Sequence, residues 1–233
     1  MAIAIVSAGI RFPQARSLDE FWQHLIAGRD LSEVVKPGRW PLTPGELGDP
    51  QRQGRDSVQH GRVYEIKSWQ ESTEGLALEA GLLRELDPLF HLVIGAGRDA
   101  WNQAVTTSID RRRAGLIMGN IALPTEASTQ RAYHWLRAQR GDRVPRRRAG
   151  SESVFNNGPT ALPAMILAEA LGLEGEVYTL DAACASSLYA LKWACDALDE
   201  GRLDIVLAGG ASRPDSLYTQ VGFTALQALS RGG

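Results

Sequence analysis

Cysteine and histidine are scarce in this sequence, which has two cysteines and four histidines among 233 residues. The cysteines, Cys184 and Cys195, fall on one predicted helix and are separated by roughly 16 Å along its axis. A disulfide needs Cα atoms within about 7 Å of each other. We therefore predict no bridge between them within one chain, and their spacing does not match a structural zinc site.

Long apolar runs and a strong net charge are also lacking. No stretch approaches the roughly 18–20 apolar residues of a membrane span, and no basic region precedes the apolar start at Ile3. We expect no membrane association and no signal peptide, and we predict a cytoplasmic protein. The net charge of −2 gives no indication of a nucleic-acid partner. The length allows one large domain or two small ones.

Strand and helix patterns alternate along the chain. Ser17 and Glu20 form a predicted capping box for the first helix, which Gly28 ends. Residues 37–61 are rich in proline, glycine and charge, which is typical of a long surface loop. Further predicted strands are 3–10, 115–119, 176–181 and 204–208, and further helices are 76–86, 88–105, 125–139, 164–171 and 184–199. The final strand–helix–strand unit predicts parallel strands, and the fold class is α/β with helices covering a mainly parallel sheet.

The most informative segment is Leu180–Leu188, which reads LDAACASSL and joins a predicted strand to a predicted helix. Its small residues allow a sharp turn that would hold Cys184 at the helix N-terminus. There a thiolate is favoured, and unpaired backbone N–H groups can stabilise a negative oxygen. The alternative is a buried cysteine that acts as a small hydrophobic residue. The helical spacing of the apolar residues that follow predicts a core-facing stripe with Cys195 in it: Leu188, Leu191, Cys195 and Leu198.

The run Asp181–Ser187 closely resembles the nucleophile motif of the β-ketoacyl synthases (ketosynthases), the condensing enzymes of fatty acid and polyketide assembly. The resemblance covers the whole chain. Its further segments are Ile3–Pro13 with its Arg11-Phe12-Pro13 end, Ser17–Trp22, Asp204–Gly210 and Gly222–Leu226. Leu86–His91 stands where modular polyketide synthases usually read Asp-Pro-Gln-Gln-Arg. This variant is similar to ketosynthases of polyunsaturated fatty acid synthases and related iterative synthases.

The resemblance implies a thiolase-like fold, which consists of two similar halves. The sequence has no convincing internal repeat, so we expect residues 1–233 to be one domain that corresponds to the N-terminal half. The chain stops at Gly233, where the family continues, and we interpret it as truncated with its C-terminal half missing.

The resemblance also implies the chemistry. Cys184 would accept an acyl group as a thioester, and decarboxylative Claisen condensation with a malonyl thioester would follow. No bound cofactor or metal is expected; the phosphopantetheine arm of an acyl carrier protein, the expected partner, carries the substrates. The family's two catalytic histidines and its lysine come from the other half. The histidines of this chain all precede Cys184 and lack the family's context, so we expect no condensation by the chain alone: His24, His60, His91 and His134.

Further residues are candidates for binding or assembly. Phe223 is a candidate for substrate binding in the acyl pocket or, equally, a core residue. Met118 and Tyr178 are candidates for the pocket or a dimer seam, because the family dimerises through the strand that corresponds to Val177–Asp181. The basic segment Arg140–Arg148 is either a solvated surface loop or a docking site for the carrier protein.

Three other functions compete with this interpretation. The chain could be a non-catalytic half-domain that serves dimerisation or carrier-protein docking, although chain-length-factor-like proteins normally replace the cysteine. It could be another condensing enzyme of the thiolase superfamily, but the resemblance of Arg11-Phe12-Pro13 and of Asp181–Ser187 favours elongating ketosynthases. A cysteine hydrolase is disfavoured, because no histidine is placed to serve as its base.

Overall fold

The structure, a computed structural model, describes residues 2–40, 61–67, 69–121, 123, 125–140, 153–213 and 216–229. Its helices are α1 Leu18–Ile26, α2 Ala80–Glu85, α3 Pro88–Gln103, α4 Glu126–Arg140, α5 Leu162–Leu171, α6 Ser186–Asp199 and α7 Leu217–Ala225. Its strands are β1 Glu33–Val34, β2 Arg62–Val63, β3 Ala114–Asn120, β4 Val177–Leu180 and β5 Ile205–Ala211. Short 3₁₀ turns lie at Arg111–Arg113, Val154–Asn157 and Ala183–Ala185.

The central sheet has the order β4–β3–β5, and β3 runs parallel to both neighbours. The chain passes from β4 through α6 to β5, crossing over β3 on the way. Every residue of β3 is buried, as expected for the middle strand of a parallel sheet whose two faces are covered. The predicted α/β class and the predicted parallel strands are therefore confirmed. β1 and β2 form a separate antiparallel pair.

Side chains that alternate along β3 build the core on both faces of the sheet. Leu116 and Met118 lie on one face, in a cluster with apolar residues of α3 and α5. Ile117 lies on the other face, against Ala190 and Ala194 of α6. This alternation follows from the two-residue repeat of a strand. α6 packs against the face of the sheet that carries Ile117.

The helix boundaries agree with the capping signals in the sequence. Ser17 and Glu20 form the predicted capping box at the start of α1. Gly28, with φ 58°, follows the end of α1, and Gly201, with φ 67°, follows the end of α6. A left-handed residue at this place is a common way to end a helix and favours glycine. The first predicted helix after the loop is shorter than expected: Ala77 donates its N–H to the carbonyl of Ala170 instead of continuing a helix.

The predicted strand at residues 3–10 is wrong. The segment has no regular secondary structure, and Ile5 is 87% exposed. It lies against α3: a Cβ added at Gly9 would sit 2.0 Å from the carbonyl oxygen of Ala96. An apolar run becomes a strand only where a neighbouring strand takes up its backbone hydrogen bonds. In the described chain this segment pairs with no strand of the central sheet.

The predicted core-facing stripe on α6 is also wrong. Leu188 is 69% exposed, Leu191 is exposed and Cys195 is half-buried, so Cys195 is not a core residue. The buried face of the helix consists of small residues instead: Ser186, Ala190, Ala194 and Ala197. A helix that lies this close to a sheet has room only for small side chains on its inner face. The larger apolar side chains of α6 therefore point away from the sheet.

Some predictions fall outside the described residues. These are most of the loop at 37–61, with His60, and most of the basic segment Arg140–Arg148. In the ranges that the structure covers, no helix has the length and apolarity needed to cross a bilayer.

Candidate active site

Cys184 lies in a short turn between the end of β4 and the start of α6. We call residues 181–186 the elbow. Cys184 is exposed and its thiol is free. Ala183, directly before it, has φ 50°, a left-handed conformation that non-glycine residues rarely adopt. The elbow is thus a strained turn that presents a thiol at the carboxyl edge of the sheet.

Side-chain hydrogen bonds hold the backbone of the elbow. The Ser186 hydroxyl accepts from the N–H of Ala182 at 2.9 Å and donates to the carbonyl of Ala183 at 2.7 Å. Oδ1 of Asp181 accepts from the N–H of Ala183 at 2.9 Å. The N–H of Ala185 donates to the carbonyl of Ala182 at 3.1 Å. These bonds use three backbone N–H groups and two backbone carbonyls of the turn, and they stabilise its strained conformation.

Two glycines let the elbow sit directly on the sheet. A Cβ at Gly119, near the end of β3, would lie 2.5 Å from the backbone carbon of Ser186. A Cβ at Gly210, near the end of β5, would lie 2.9 Å from Cβ of Ser187. This role was not predicted from the sequence. The available signal was glycine near the ends of two predicted strands, where close approach of another backbone is a standard reason for that residue.

Polar residues at the carboxyl ends of β3 and β5 connect the sheet to the segment before α5 and to the start of α3. Asn120 ends β3, is buried, and donates to the carbonyls of Pro159 and Thr160 at 2.8 and 2.9 Å. Arg213 follows β5 and contacts the buried carboxylate of Asp87 at 3.1 Å. Asp87 is the N-cap of α3. Neither contact could be predicted from the sequence, because each joins residues far apart in the chain.

The other predicted site residues lie in different surroundings. Phe223 is on α7 and 37% exposed, and its role in an acyl pocket stays a prediction. Met118 is buried in the core. Tyr178 on β4 is half-buried, with its ring centroid 5.8 Å from that of Trp193. β4 is an edge strand of the described sheet. No group of three or more potential metal ligands occurs within the described residues.

Arg11, from the Arg11-Phe12-Pro13 motif, has a structural role that was not predicted from the sequence. Arg11, Arg16, Glu71, Arg98 and Asp99 form what we call the arginine cluster. Nε of Arg11 lies 2.6 Å from Oε1 of Glu71, and its Nη1 lies 2.6 Å from Oδ2 of Asp99. Arg98 contacts the other oxygen of Glu71 at 2.9 Å, and Arg16 also contacts Glu71. The cluster joins the N-terminal segment, the 69–78 connection and α3.

The charges of the cluster stabilise one another. Burial alone would raise the pKa of Glu71, whose side chain is 2% exposed, but its contacts with Arg11 and Arg16 outweigh this and lower its pKa. Burial opposes the charged form of Arg11, and hydrogen bonds to Glu71 and Asp99 outweigh it, so the pKa of Arg11 is raised. Both shifts favour the charged pair. Gly95 of α3 leaves room for it, since a Cβ there would lie 2.5 Å from the Glu71 carboxyl group.

His91 lies buried beside this cluster. Its Nδ1 accepts the backbone N–H of Glu71 at 3.1 Å, and its ring meets that of Trp69 edge-on at 4.8 Å between centroids. Burial lowers the pKa of His91. His24, on α1, contacts the carbonyl of Gln14 at 3.0 Å. These contacts are consistent with structural roles for both histidines.

Known proteins resemble the chain over nearly all of its length. It is 28% identical to the non-reducing polyketide synthase CTB1 of Cercospora nicotianae, over 99% of this chain and 10% of the relative. It is 26% identical to a polyunsaturated fatty acid synthase protein of a Thraustochytrium species, over 99% of this chain and 11% of the relative. The chain thus spans about a tenth of the length of these curated relatives.

Solved structures agree with this similarity. The PfaC keto synthase–chain length factor superposes on 97% of this chain and 26% of its own, with a TM-score of 0.81 and 28% identity. The fold is therefore the thiolase-like α/β fold of ketosynthases. The family model described as "Beta-ketoacyl synthase, N-terminal domain" matches residues 1–233, and the chain belongs to that family.

Proposed function

We propose that this chain is the acyl-accepting part of a ketosynthase that acts in polyketide or fatty acid synthesis, with Cys184 as its nucleophile. The observation that carries the proposal is the exposed thiol of Cys184 on a strained, hydrogen-bonded turn at the start of α6. Family membership supplies the reaction class, and the elbow supplies a group able to perform its first step.

In this first step the sulfur of Cys184 attacks the carbonyl carbon of an acyl thioester. The donor is the phosphopantetheine arm of an acyl carrier protein. A thioester bond forms at Cys184, the carrier's carbon–sulfur bond breaks, and the cysteine proton passes to the departing carrier thiol. The bonds that close the elbow use the N–H groups of Ala182, Ala183 and Ala185. The N–H of Cys184 takes no part in them, and we assign it to the oxyanion that develops in this step.

The second step is condensation with a malonyl thioester. Loss of carbon dioxide leaves an enolate whose carbon attacks the acyl carbonyl and releases the sulfur of Cys184. We assign the groups that assist decarboxylation to a C-terminal half of the same domain. The match to an N-terminal family domain supports this, as do the contacts that His24 and His91 already make elsewhere.

Acyl loading tests the proposal directly. The purified chain is incubated with a hexanoyl carrier protein, and the modified residue is located by mass spectrometry. We expect one hexanoyl group on Cys184, none on the Cys184→Ala variant, and full loading of Cys195→Ala, the matched control. A label that persists in Cys184→Ala would contradict the proposal. A chain that binds the carrier protein without becoming acylated would favour the non-catalytic docking module instead.

Assembly is the second part of the proposal. We propose a homodimer through the edge strand β4 and a cytoplasmic location. The outer edge of β4 pairs with no described strand, and a free edge is a ready surface for strand addition. Sedimentation velocity on the chain should give twice the monomer mass of 25.3 kDa. A monomer at micromolar concentration would contradict the dimer and leave the loading proposal intact.

A further inference from the structure

Ser186 occupies an unusual position for a helix-start serine. It is the first residue of α6 and is 6% exposed, whereas the N-cap position is Ala185, which makes no side-chain capping bond. A capping serine accepts from an N–H two or three residues further along its helix. The hydroxyl of Ser186 instead reaches back to the N–H of Ala182 and the carbonyl of Ala183. It therefore serves the elbow and not the helix.

The residue that these bonds hold is the strained one. Ala183 is left-handed, with φ 50°, and such a conformation persists only when its surroundings fix it. Ser186 holds its carbonyl and Asp181 holds its N–H. The side chain that comes next in the chain is the thiol of Cys184. A change in the backbone at Ala183 redirects that thiol.

We propose that Ser186 is a positioning residue, whose hydroxyl fixes the left-handed turn and thereby aims the Cys184 thiol at the acyl carbonyl. This role rests on the proposed acylation of Cys184. Gly119 supports it, because the missing Cβ at that position leaves the space that Ser186 fills. Asp181 contributes to the same turn through Ala183.

The test compares adjacent serines in a Cys195→Ala background, where Cys184 is the sole thiol. Ser186→Ala removes both bonds of the hydroxyl, and Ser187→Ala changes the exposed neighbour as the matched control. Loading by hexanoyl-pantetheine is followed over a range of concentrations. We expect the maximal loading rate of Ser186→Ala to fall roughly tenfold or more, since small misplacements of reacting groups have effects of this size. Its half-saturating concentration and the rate of Ser187→Ala should stay within about twofold of the parent. Equal maximal rates for the two serine variants would overturn the proposal.

A second pair covers the case in which Ser186→Ala does not fold. Asp181 is exposed, and Asp181→Ala removes the acceptor for Ala183, whereas Asp181→Asn keeps an oxygen there. We expect Asp181→Asn to retain the loading rate and Asp181→Ala to lose it. Equal loading rates for the two Asp181 variants would show that fixing Ala183 does not aim the Cys184 thiol, and this would overturn the proposal.

Alkylation of Cys184 tests the positioning role of Ser186 independently of the proposed acyl transfer. If the parent chain takes up no acyl group, the proposed function fails. The rate of iodoacetamide reaction at Cys184 then still ranks the variants. The same order of rates supports positioning by Ser186, and equal alkylation rates overturn it.

Discussion

Two regions of this molecule carry signature residues of the same family, and they use them in opposite ways. In the arginine cluster, Arg11 is buried and each of its charged contacts is made within the chain. In the elbow, Cys184 is exposed while the backbone around it is fixed. A family-specific residue whose bonding capacity is used up inside the protein maintains the fold. One whose reactive atom is left accessible on a fixed turn is available for chemistry.

The contrast extends to the physical cost of each region. The cluster takes charges out of water, and this is tolerated only because oppositely charged partners lie at 2.6–2.9 Å. The elbow instead stores backbone strain at Ala183, which local hydrogen bonds offset. Substitutions in the cluster should therefore change stability and spare acyl loading per folded molecule, whereas substitutions that remove a side-chain hydrogen bond of the elbow should slow acyl loading per folded molecule.

Arg11→Met should have the largest effect on stability. It removes one of the three arginine partners of the buried Glu71 carboxylate, and breaking a buried ion pair costs up to about 3–5 kcal/mol. Urea unfolding measures the loss, and Cys184 loading per folded molecule should stay unchanged. Arg112→Met is the matched control: Arg112 pairs with Asp110 at the surface, and we expect no measurable change there. A similar small effect of both variants would remove the distinction between the two regions.

Gly119→Ala tests where the elbow meets the sheet. The new methyl group would lie 2.5 Å from the backbone of Ser186, and overpacking of this kind costs about 1–3 kcal/mol. Because the clash moves Ser186, acyl loading should also slow in the molecules that remain folded. Gly209→Ala is the control, since a Cβ there meets nothing within 4 Å. Slower loading in Gly209→Ala than in Gly119→Ala would contradict this account of the elbow.

Much of this architecture could be predicted from local sequence. The capping box at Ser17, the strand at Gly115–Gly119 and the parallel unit around Cys184 each follow from patterns within a few turns of chain. The arginine cluster could not be predicted in this way, because Arg11 and Glu71 are 60 positions apart and nothing local links them. The same limit explains the missed contact between Arg213 and Asp87.

The two wrong structural predictions have a common physical origin. Apolar residues at 3–10 and on α6 follow the repeat of a strand or a helix, and that repeat alone predicts a place in the core. Periodicity shows which side chains share a face but not what covers that face. On α6, Ser186 and Ala190 face the sheet, so Leu188 lies on the outer side. Gly119 of β3 and Gly210 of β5 allow this close approach of the helix. Such contacts between strands and a helix cannot be predicted from the repeat of the helix alone.

Acid should weaken the region around the cluster in two stages. Burial holds the pKa of His91 below its usual 6.5, so the unfolded chain binds this proton first, and stability falls as the pH drops below 6.5. The pKa of Glu71 is held below its usual 4.5. The stability that the charged Glu71 carboxylate contributes is therefore fully present above pH 4.5 and is lost on further acidification. In the upper stage, the free energy of unfolding falls by up to about 1.4 kcal/mol for each pH unit of acidification.

His91→Asn separates these stages, because asparagine can still accept the N–H of Glu71 but does not titrate. Thermal or urea unfolding between pH 7 and 5 should show a shallower loss of stability in the variant, while the loss below pH 4.5 remains. An unchanged slope between pH 7 and 5 would show that His91 does not cause the upper stage.

Ala183→Gly should have the smallest effect and the opposite sign. Ala183 is left-handed at φ 50°; glycine adopts this conformation without the steric penalty of a side chain, which is roughly 1–2 kcal/mol. Glycine also gains freedom in the unfolded chain, which returns about 0.4–1 kcal/mol of that benefit. The net result should be a stabilisation of roughly 0–1.6 kcal/mol, centred near about 0.8 kcal/mol. Acyl loading should stay close to that of the parent chain, because the bonds from Ser186 and Asp181 remain.

Ala104→Gly is the control: Ala104 has φ −87° in extended backbone, no left-handed strain is relieved there, and the freedom that glycine gains in the unfolded chain should destabilise the protein. If both glycine variants lose stability equally, Ala183 is not a site of stored strain.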